Sequence, residues 1–234
     1  MHRPTRRTRL VSALLAVLAL PAVMGPGRCG FALDYTEPYL ITAPIARAVL
    51  NADDGTVVST SYEREALLLK RHVFAFEPSL EAADHTVEDR QLLLEAHCKY
   101  EGNCSFDHMF ETPPAVAFDI TMDEARVDLG YTVGDVAVTA RSGHFRGVQL
   151  GSQQVDIDYD EGQVDLELIA IPAAVVVRVC VGSVVVTVPA GSYACIFAAG
   201  GELRQTGITC DDAAASVLDL AVEAGDLRVE GVTP

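Results

Sequence analysis

The stretch HCKYEGNCSFDH, residues 97–108, holds the residue types best suited to chemistry. It could form a zinc site in which Cys98, Cys104 and His108, with His97 as a further ligand, bind the metal through sulfur and nitrogen. The two cysteines could instead form a disulfide, which an oxidising compartment favours. Five residues separate them, more than the roughly two to four of a zinc knuckle, and Gly102-Asn103 suits a tight turn. We therefore predict a Cys98–Cys104 disulfide, with metal binding by Cys98, Cys104 and His108 as the alternative.

A second group of potential ligands is the acidic segment DIDYDEGQVDLE, residues 156–167. Asp156, Asp158, Asp160 and Glu167 stand at positions that bind calcium in a helix-loop-helix site. The position that must be glycine in such a loop is Glu161, however. Alternation of the aspartates with apolar residues is typical of a strand, which would place them in an exposed row. We predict an acidic strand and retain Asp156, Asp158 and Asp160 as candidate metal ligands.

Three further cysteines, Cys180, Cys195 and Cys210, form an odd set once the first pair is joined. Aligning Gly182 with Gly201 as equivalent points of successive repeats does not bring Cys180 beside Cys195. A bond from Cys210 to one of the two fits the sequence, which does not identify the partner. The cysteine left over would be a buried thiol or form an intermolecular link. Cys180 lies in a valine-rich segment, which suits a small buried thiol.

No catalytic motif accompanies these residues. The sequence contains no G-x-S-x-G elbow, no H-E-x-x-H motif and no phosphate-binding loop. His72, His85 and His144 have no carboxylate or cysteine partner at a telling spacing, and a lone histidine is more often structural or exposed. The prediction is a non-enzymatic protein without a cofactor.

The N-terminus indicates the compartment. Residues 1–32 begin with a basic region, continue with an apolar run at 10–24 and end in small residues, which is the pattern of a secretory signal peptide. Cleavage is expected near Ala32. Cys29 would leave with the signal, because Arg28 stands where a lipid-anchored cysteine needs a small residue. A retained membrane anchor is the alternative; the prediction is an extracytoplasmic protein with no membrane span in the mature chain.

The charge of the chain restricts its partners. The 234 residues carry a net charge of −16. Residues 1–32 hold five of the seventeen Lys and Arg and none of the thirty-three Asp and Glu, so their removal leaves about −21. Such a charge opposes binding to nucleic acid and to anionic membrane surfaces. The expected partner is a surface or another protein, of unknown identity.

The elements that must position these residues are strands. Alternation at residues 66–76 and an apolar segment at 91–96 predict strands within an N-terminal β region, residues 33–115. Beyond it, the glycines at 143, 162, 182, 201 and 225 recur about every twenty residues, and each is expected to lie at a turn that precedes a strand. The period predicts an all-β fold, with a β-solenoid of strand-turn coils over residues 116–234. An antiparallel sandwich is the alternative.

Several segments together resemble a bacterial putative-adhesin domain family. The similarity lies in repeated turns such as YTVGDVAV, in the step VPAGSY at residues 188–193, and in the pair Cys98 and Cys104 ahead of the repeats. It covers about residues 90–231 and, more faintly, 44–90. The compressed stretch RSGHFRG at residues 141–147 and the three later cysteines depart from the family pattern.

The resemblance implies a β-solenoid at the cell surface or in the periplasm, without a known catalytic centre. Together with the export signal, it predicts an exported, non-enzymatic β-solenoid protein. Such a protein would act as an adhesin or as another cell-surface binding or structural module, with an unknown ligand.

Overall fold

The computed structural model describes residues 32–76, 80–99 and 104–233. These residues form strands and no helix, which confirms the all-β prediction and the strands expected at 66–76 and 91–96. They therefore contain no helix that could cross a bilayer. Apart from Ala32, the predicted signal peptide lies outside the described residues. The strands are β1 (Ala32–Ile41), β2 (Arg47–Ser61), β3 (Leu67–Phe76), β4 (Leu80–Glu88), β5 (Gln91–Cys98), β6 (Cys104–Thr112), β7 (Ala117–Gly130), β8 (Val136–Leu150), β9 (Gln154–Leu168), β10 (Ala174–Pro189), β11 (Ser192–Ala199), β12 (Leu203–Thr206), β13 (Thr209–Cys210) and β14 (Val217–Val232).

Six long strands lie side by side in parallel, in the order β2, β7, β8, β9, β10 and β14. Gly143 pairs with Gly162 and Gly162 with Gly182, so the predicted glycine spacing is also the pairing register. Each apolar position consequently stacks on its counterpart in the next strand, as Val155 does on Val175. An antiparallel sandwich would not contain this parallel series.

Each long strand bends at its middle. In β9 the side chains alternate inward up to Tyr159 and again from Val164, while residues 160–163 between them all lie at the surface. Gly143, Gly162, Gly182 and Gly225 lie at these bends, so the prediction of turns between strands is wrong for them. It holds for Gly201, which lies between β11 and β12. Gly182 shows why the position needs glycine: its φ is 152°, and an added Cβ would lie 1.7 Å from the carbonyl oxygen of Gly162. At Gly182, close backbone stacking leaves no room for a side chain.

The order of the repeats in space differs from their order in sequence at the C-terminal end. Strand β14 lies between β10 and β11, so Gly182 pairs with Gly225. Gly201 lies on the far side and donates its amide to the Gly225 carbonyl at 2.8 Å. The expectation that Gly201 follows Gly182 directly is therefore wrong.

The N-terminal strands extend the same sheet. Strand β3 pairs antiparallel with β1 on one side and with β6 on the other. Strand β6 in turn pairs in parallel with the second half of β2. The first half of β2 pairs with β5, which pairs antiparallel with β4. Since β2 also pairs with β7, the sheet is continuous across residues 115 and 116.

Candidate binding surface

The predicted cysteine pair joins the end of β5 to the start of β6. Cys98 and Cys104 form a disulfide with a Cα–Cα distance of 6.0 Å. Asp53, at the bend of β2, accepts hydrogen bonds from the Cys98 amide at 2.5 Å and pairs with Nδ1 of His97 at 3.0 Å. The turn predicted at Gly102-Asn103 lies outside the described residues. Both thiols are consumed in this bond, so neither is available as a thiolate ligand.

His108 does not join Cys98 and Cys104 in a ligand set. It lies on the inward face of β6 beyond Phe106, about 13 Å along the strand from Cys104 at the usual rise per residue. Across the strand it faces Arg71, and it is fully buried. Burial and the nearby guanidinium lower its pKa to about 4. Among the described residues, no three His, Cys, Asp or Glu side chains are grouped as metal ligands would be.

A polar cluster surrounds the buried side chain of Arg71. One terminal nitrogen of Arg71, which is 3% exposed, donates to Glu37 and to the Tyr39 hydroxyl, each at 2.9 Å. Tyr39 in turn donates a short hydrogen bond to Glu37, and its ring packs against His85 at 4.2 Å. Burial alone would raise the pKa of Glu37, but the hydrogen bonds from Tyr39 and Arg71 outweigh it and the pKa is lowered. Burial and Glu37 together raise the pKa of Tyr39 to about 12. Arg71 is buried, whereas the Glu37 side chain is 43% exposed, so the cluster reaches the surface where it links β1 to β3.

The three aspartates of β9 lie on the outer face of its first half. Asp156, Asp158 and Asp160 are exposed, in the strand predicted for them. Arg178 on β10 lies beside Asp158 but pairs with Asp219 on β14. The segment has no loop that could gather the carboxylates around one ion. It forms part of an acidic surface.

Cys180 lies at the edge of that surface. The prediction of a buried thiol is wrong, because Cys180 is exposed and unpaired. It follows Val179, the last inward residue before the bend of β10, and therefore points outward. Desolvation and the nearby carboxylates of Glu223 and Asp160 raise the pKa of the thiol.

The remaining two cysteines are joined to each other. Cys195 on β11 and Cys210 on β13 form a disulfide with a Cα–Cα distance of 5.4 Å. This bond identifies the partner of Cys210, which the sequence left open. It fastens the segment after β12 to the last strands of the sheet.

The outer side of the long strands has shallow depressions along their second halves. One, of about 290 Å³, is lined by Thr60, Asp128, Tyr131 and Arg146 together with neighbouring backbone. Tyr131 is 52% exposed and presents its ring to solvent. Asp128 accepts a hydrogen bond from Arg126 at 3.1 Å, whereas Arg146 makes no ion pair within the described residues. The depression thus combines a flat aromatic ring, a carboxylate and an uncommitted guanidinium.

A rigid turn presents Tyr131. Its backbone has a φ of 60°, unusual for a bulky residue, and its amide donates to the Val148 carbonyl at 3.0 Å. The next residue, Thr132, is fully buried and its hydroxyl lies 3.1 Å from that of Ser61. Left-handed backbone at a residue other than glycine persists only where the surroundings enforce it, and it is concentrated at functional sites.

Sequence reasoning missed this depression. Tyr131 lies in one of the repeated turns, where its type suggested nothing beyond a connection. Arg146 lies in the stretch 141–147 that departs from the family pattern, and this departure was the available signal.

No protein-family model and no curated protein matches this sequence. The chain is similar to solved structures of a putative cell adhesion protein from Clostridium sporogenes ATCC 15579 and a putative adhesin from Bacteroides fragilis NCTC 9343. The first is 14% identical, with 86% of this chain and 100% of that chain covered and a TM-score of 0.41. The second is 11% identical, with 86% and 97% covered and a TM-score of 0.37. A putative adhesin from Parabacteroides merdae ATCC 43184 is 8% identical, with 83% and 96% covered and a TM-score of 0.27. Two of them are named putative adhesins and one a putative cell adhesion protein, in agreement with the resemblance seen in the sequence segments.

Proposed function

We propose that this chain is an exported, non-enzymatic binding module that acts at the cell surface. The observation that carries the proposal is Tyr131, held in a left-handed backbone conformation beside the uncommitted Arg146. Tyr131 combines a half-exposed ring with a backbone conformation that is costly for a bulky residue, and such strain is concentrated at functional sites. Two disulfides support an oxidising compartment, and thus removal of residues 1–32 as a signal peptide.

The module is a β-solenoid over residues 116–234, preceded by the N-terminal β region of residues 33–115. Register offsets of 18, 19 and 20 residues from β7 to β10 support a coil of about twenty residues, taken from the pairs Ala125 with Gly143, Gly143 with Gly162 and Gly162 with Gly182. Each coil contributes two sheet segments separated by the bend. Such a stack gives a rigid, flat surface on which small depressions keep their shape.

The ligand is a polar molecule that carries a ring and an acidic group. A sugar ring packs well on an exposed tyrosine, Arg146 can bind a carboxylate through two parallel hydrogen bonds, and Asp128 can accept from hydroxyls. Acidic oligosaccharides combine these features. The negative charge of the chain weakens general attraction for anions, so binding depends on the local guanidinium.

The test is binding of the exported chain to an array of neutral and acidic oligosaccharides. Tyr131→Ala and Arg146→Ala should each reduce retention of an acidic oligosaccharide at least about tenfold. Tyr62→Ala is the matched control, because Tyr62 is a similarly exposed tyrosine outside the depression. Absence of retention, or equal retention by all three variants, would refute the proposal. Mass spectrometry of the same preparation should find an N-terminus near Leu33, and a chain that keeps residues 1–32 would contradict export by cleavage.

A further inference from the structure

A row of outward side chains crosses the sheet at right angles to its strands. In-register pairing places one residue from each of seven neighbouring strands side by side, on the second halves of the long strands and on β12. From β2 to β12 these residues are Val58, Asp128, Arg146, Asp165, Val185, Arg228 and Arg204. At about 4.8 Å between neighbouring strands, the row is about 29 Å long.

Shallow depressions follow this row one after another. The depression beside Tyr131 shares Arg146 with a second one, of about 160 Å³. The second shares Val185 with a third, of about 280 Å³, which Arg204 and Arg228 also line. An extended ligand that lay along the row would therefore contact all three depressions.

The row carries more positive than negative charge. It holds three arginines and two aspartates, and both aspartates already have a partner. Asp128 accepts a hydrogen bond from Arg126, and Asp165 lies 3.2 Å from Nε2 of His144. The chain as a whole has a net charge of −16, so an anion that other parts of the surface repel can be bound along this row.

Arg228 and Arg204 lie side by side at the far end of the row. Each forms an ion pair with a nearby glutamate, Glu230 and Glu202 respectively. The two arginine side chains are 56% and 67% exposed, and ion pairs at such exposure are weak. Asp226, in the same depression, accepts a hydrogen bond from the Glu202 amide at 2.7 Å. Since a guanidinium has five N–H donors, each arginine keeps donors for a further acceptor.

We propose that the ligand is a linear acidic polysaccharide that lies along this row, with one carboxylate at Arg146 and another at Arg228 and Arg204. This inference rests on the proposed function and adds a second anionic subsite to it. Arg146 and Arg228 are three strands apart, about 14 Å, so a single sugar cannot reach both. A chain that bridges the two weak subsites binds more tightly than either part alone, because the second contact is then intramolecular.

The test is calorimetric titration of the exported chain with fragments of polygalacturonate and of hyaluronan, from one sugar to about eight. Both polymers carry carboxylates along an extended chain. The Kd should fall at least about tenfold between fragments too short to span the two subsites and fragments that span them. Combined Arg204→Ala and Arg228→Ala should abolish this gain while the affinity for the shortest fragment that binds stays unchanged.

The matched control combines Arg47→Ala and Arg178→Ala. These two arginines are also half exposed and paired with carboxylates, but they lie on the outer side of the first halves of their strands. The control should keep the full gain with length, and circular dichroism should show that both double variants are folded.

Three results would overturn the second subsite. These are short fragments that bind with no gain on lengthening, a gain that survives loss of Arg204 and Arg228, and an equal loss of the gain in the control. The first of them would leave the proposed function intact, because the Tyr131 depression would still bind its ligand. A chain that binds no fragment of any length and no member of the oligosaccharide array would refute the proposed function and this inference together.

Discussion

Acidification from pH 7 to pH 4 should destabilise the fold through His108. The side chain is fully buried, and neither ring nitrogen makes a hydrogen bond of good geometry, although the Phe106 backbone slightly favours the charged form. Arg71 across the strand disfavours a second positive charge. The folded protein therefore takes up a proton at His108 only near pH 4, whereas the unfolded chain does so near pH 6.5.

The sign and size follow from these two values. Between pH 6.5 and pH 4 the unfolded chain binds more protons than the folded protein, so stability falls as the pH falls. The contribution of neutral, buried His108 to stability is fully present above pH 6.5. The two pKa values differ by about 2.5, and one pKa unit corresponds to about 1.4 kcal/mol, so the loss attributable to His108 is on the order of 3 kcal/mol.

The assay is urea unfolding at several pH values for wild type and His108→Leu. Other groups titrate in this range, so the informative quantity is the difference between the two proteins at each pH. At pH 7 the variant should be about 1 kcal/mol more stable, because leucine has a similar size and leaves no buried nitrogen unpartnered. Its advantage should grow by on the order of 3 kcal/mol towards pH 4.

The control is Phe106→Leu, which changes the packing of the same strand without a titrating group. It should lower stability by a similar amount at every pH. A constant difference between wild type and His108→Leu from pH 7 to pH 4 would refute the reasoning.

Three further results are expected. Gly182→Ala should lower the free energy of unfolding by at least about 3 kcal/mol, because the new Cβ clashes and the φ is unfavourable. Gly191→Ala, whose new Cβ has no atom closer than 3.7 Å, should change it by less than about 1 kcal/mol. Equal effects of the two variants would contradict the bend geometry. Replacing Cys195 and Cys210 by serine should lower stability by about 3 kcal/mol, seen as a fall in Tm on the order of 10 °C, and an unchanged Tm would show that the loop is held without the bond. Among the described cysteines, Cys180 should be the one alkylated in the folded protein, more slowly than a free thiol at pH 7, and labelling of any other would contradict the disulfide pairing.

Local patterns in the sequence predicted the strands and much of their register. Alternation specified β9, and the glycine spacing specified how β8, β9 and β10 stack, because both recur in these neighbouring strands. The alternation of β3 predicted a strand but not the neighbour of Arg71, because His108 lies 37 residues away and cross-strand neighbours of that kind leave no local signal.

The position of β14 could not be predicted for a different reason. Gly201 and Gly225 both begin segments that look like coils, and spacing alone does not show which packs on β10. The choice depends on how well each segment covers the end of the core. β14 has sixteen residues and β11 has eight, so β14 covers more of it.

The insertion of β14 between β10 and β11 also sets a limit on the order of folding. β10 and β11 are separated by only two residues in sequence, yet they share no hydrogen-bonded ladder, and their common partner is the last strand of the chain. As the chain is synthesised from its N-terminus, β2 to β10 can stack one after another, but β11 and β12 lack their partner β14 until residues 217–232 are added. The last strands are therefore completed in one late step, and a chain that ends before residue 217 should leave the C-terminal disulfide segment unfolded and open to proteases.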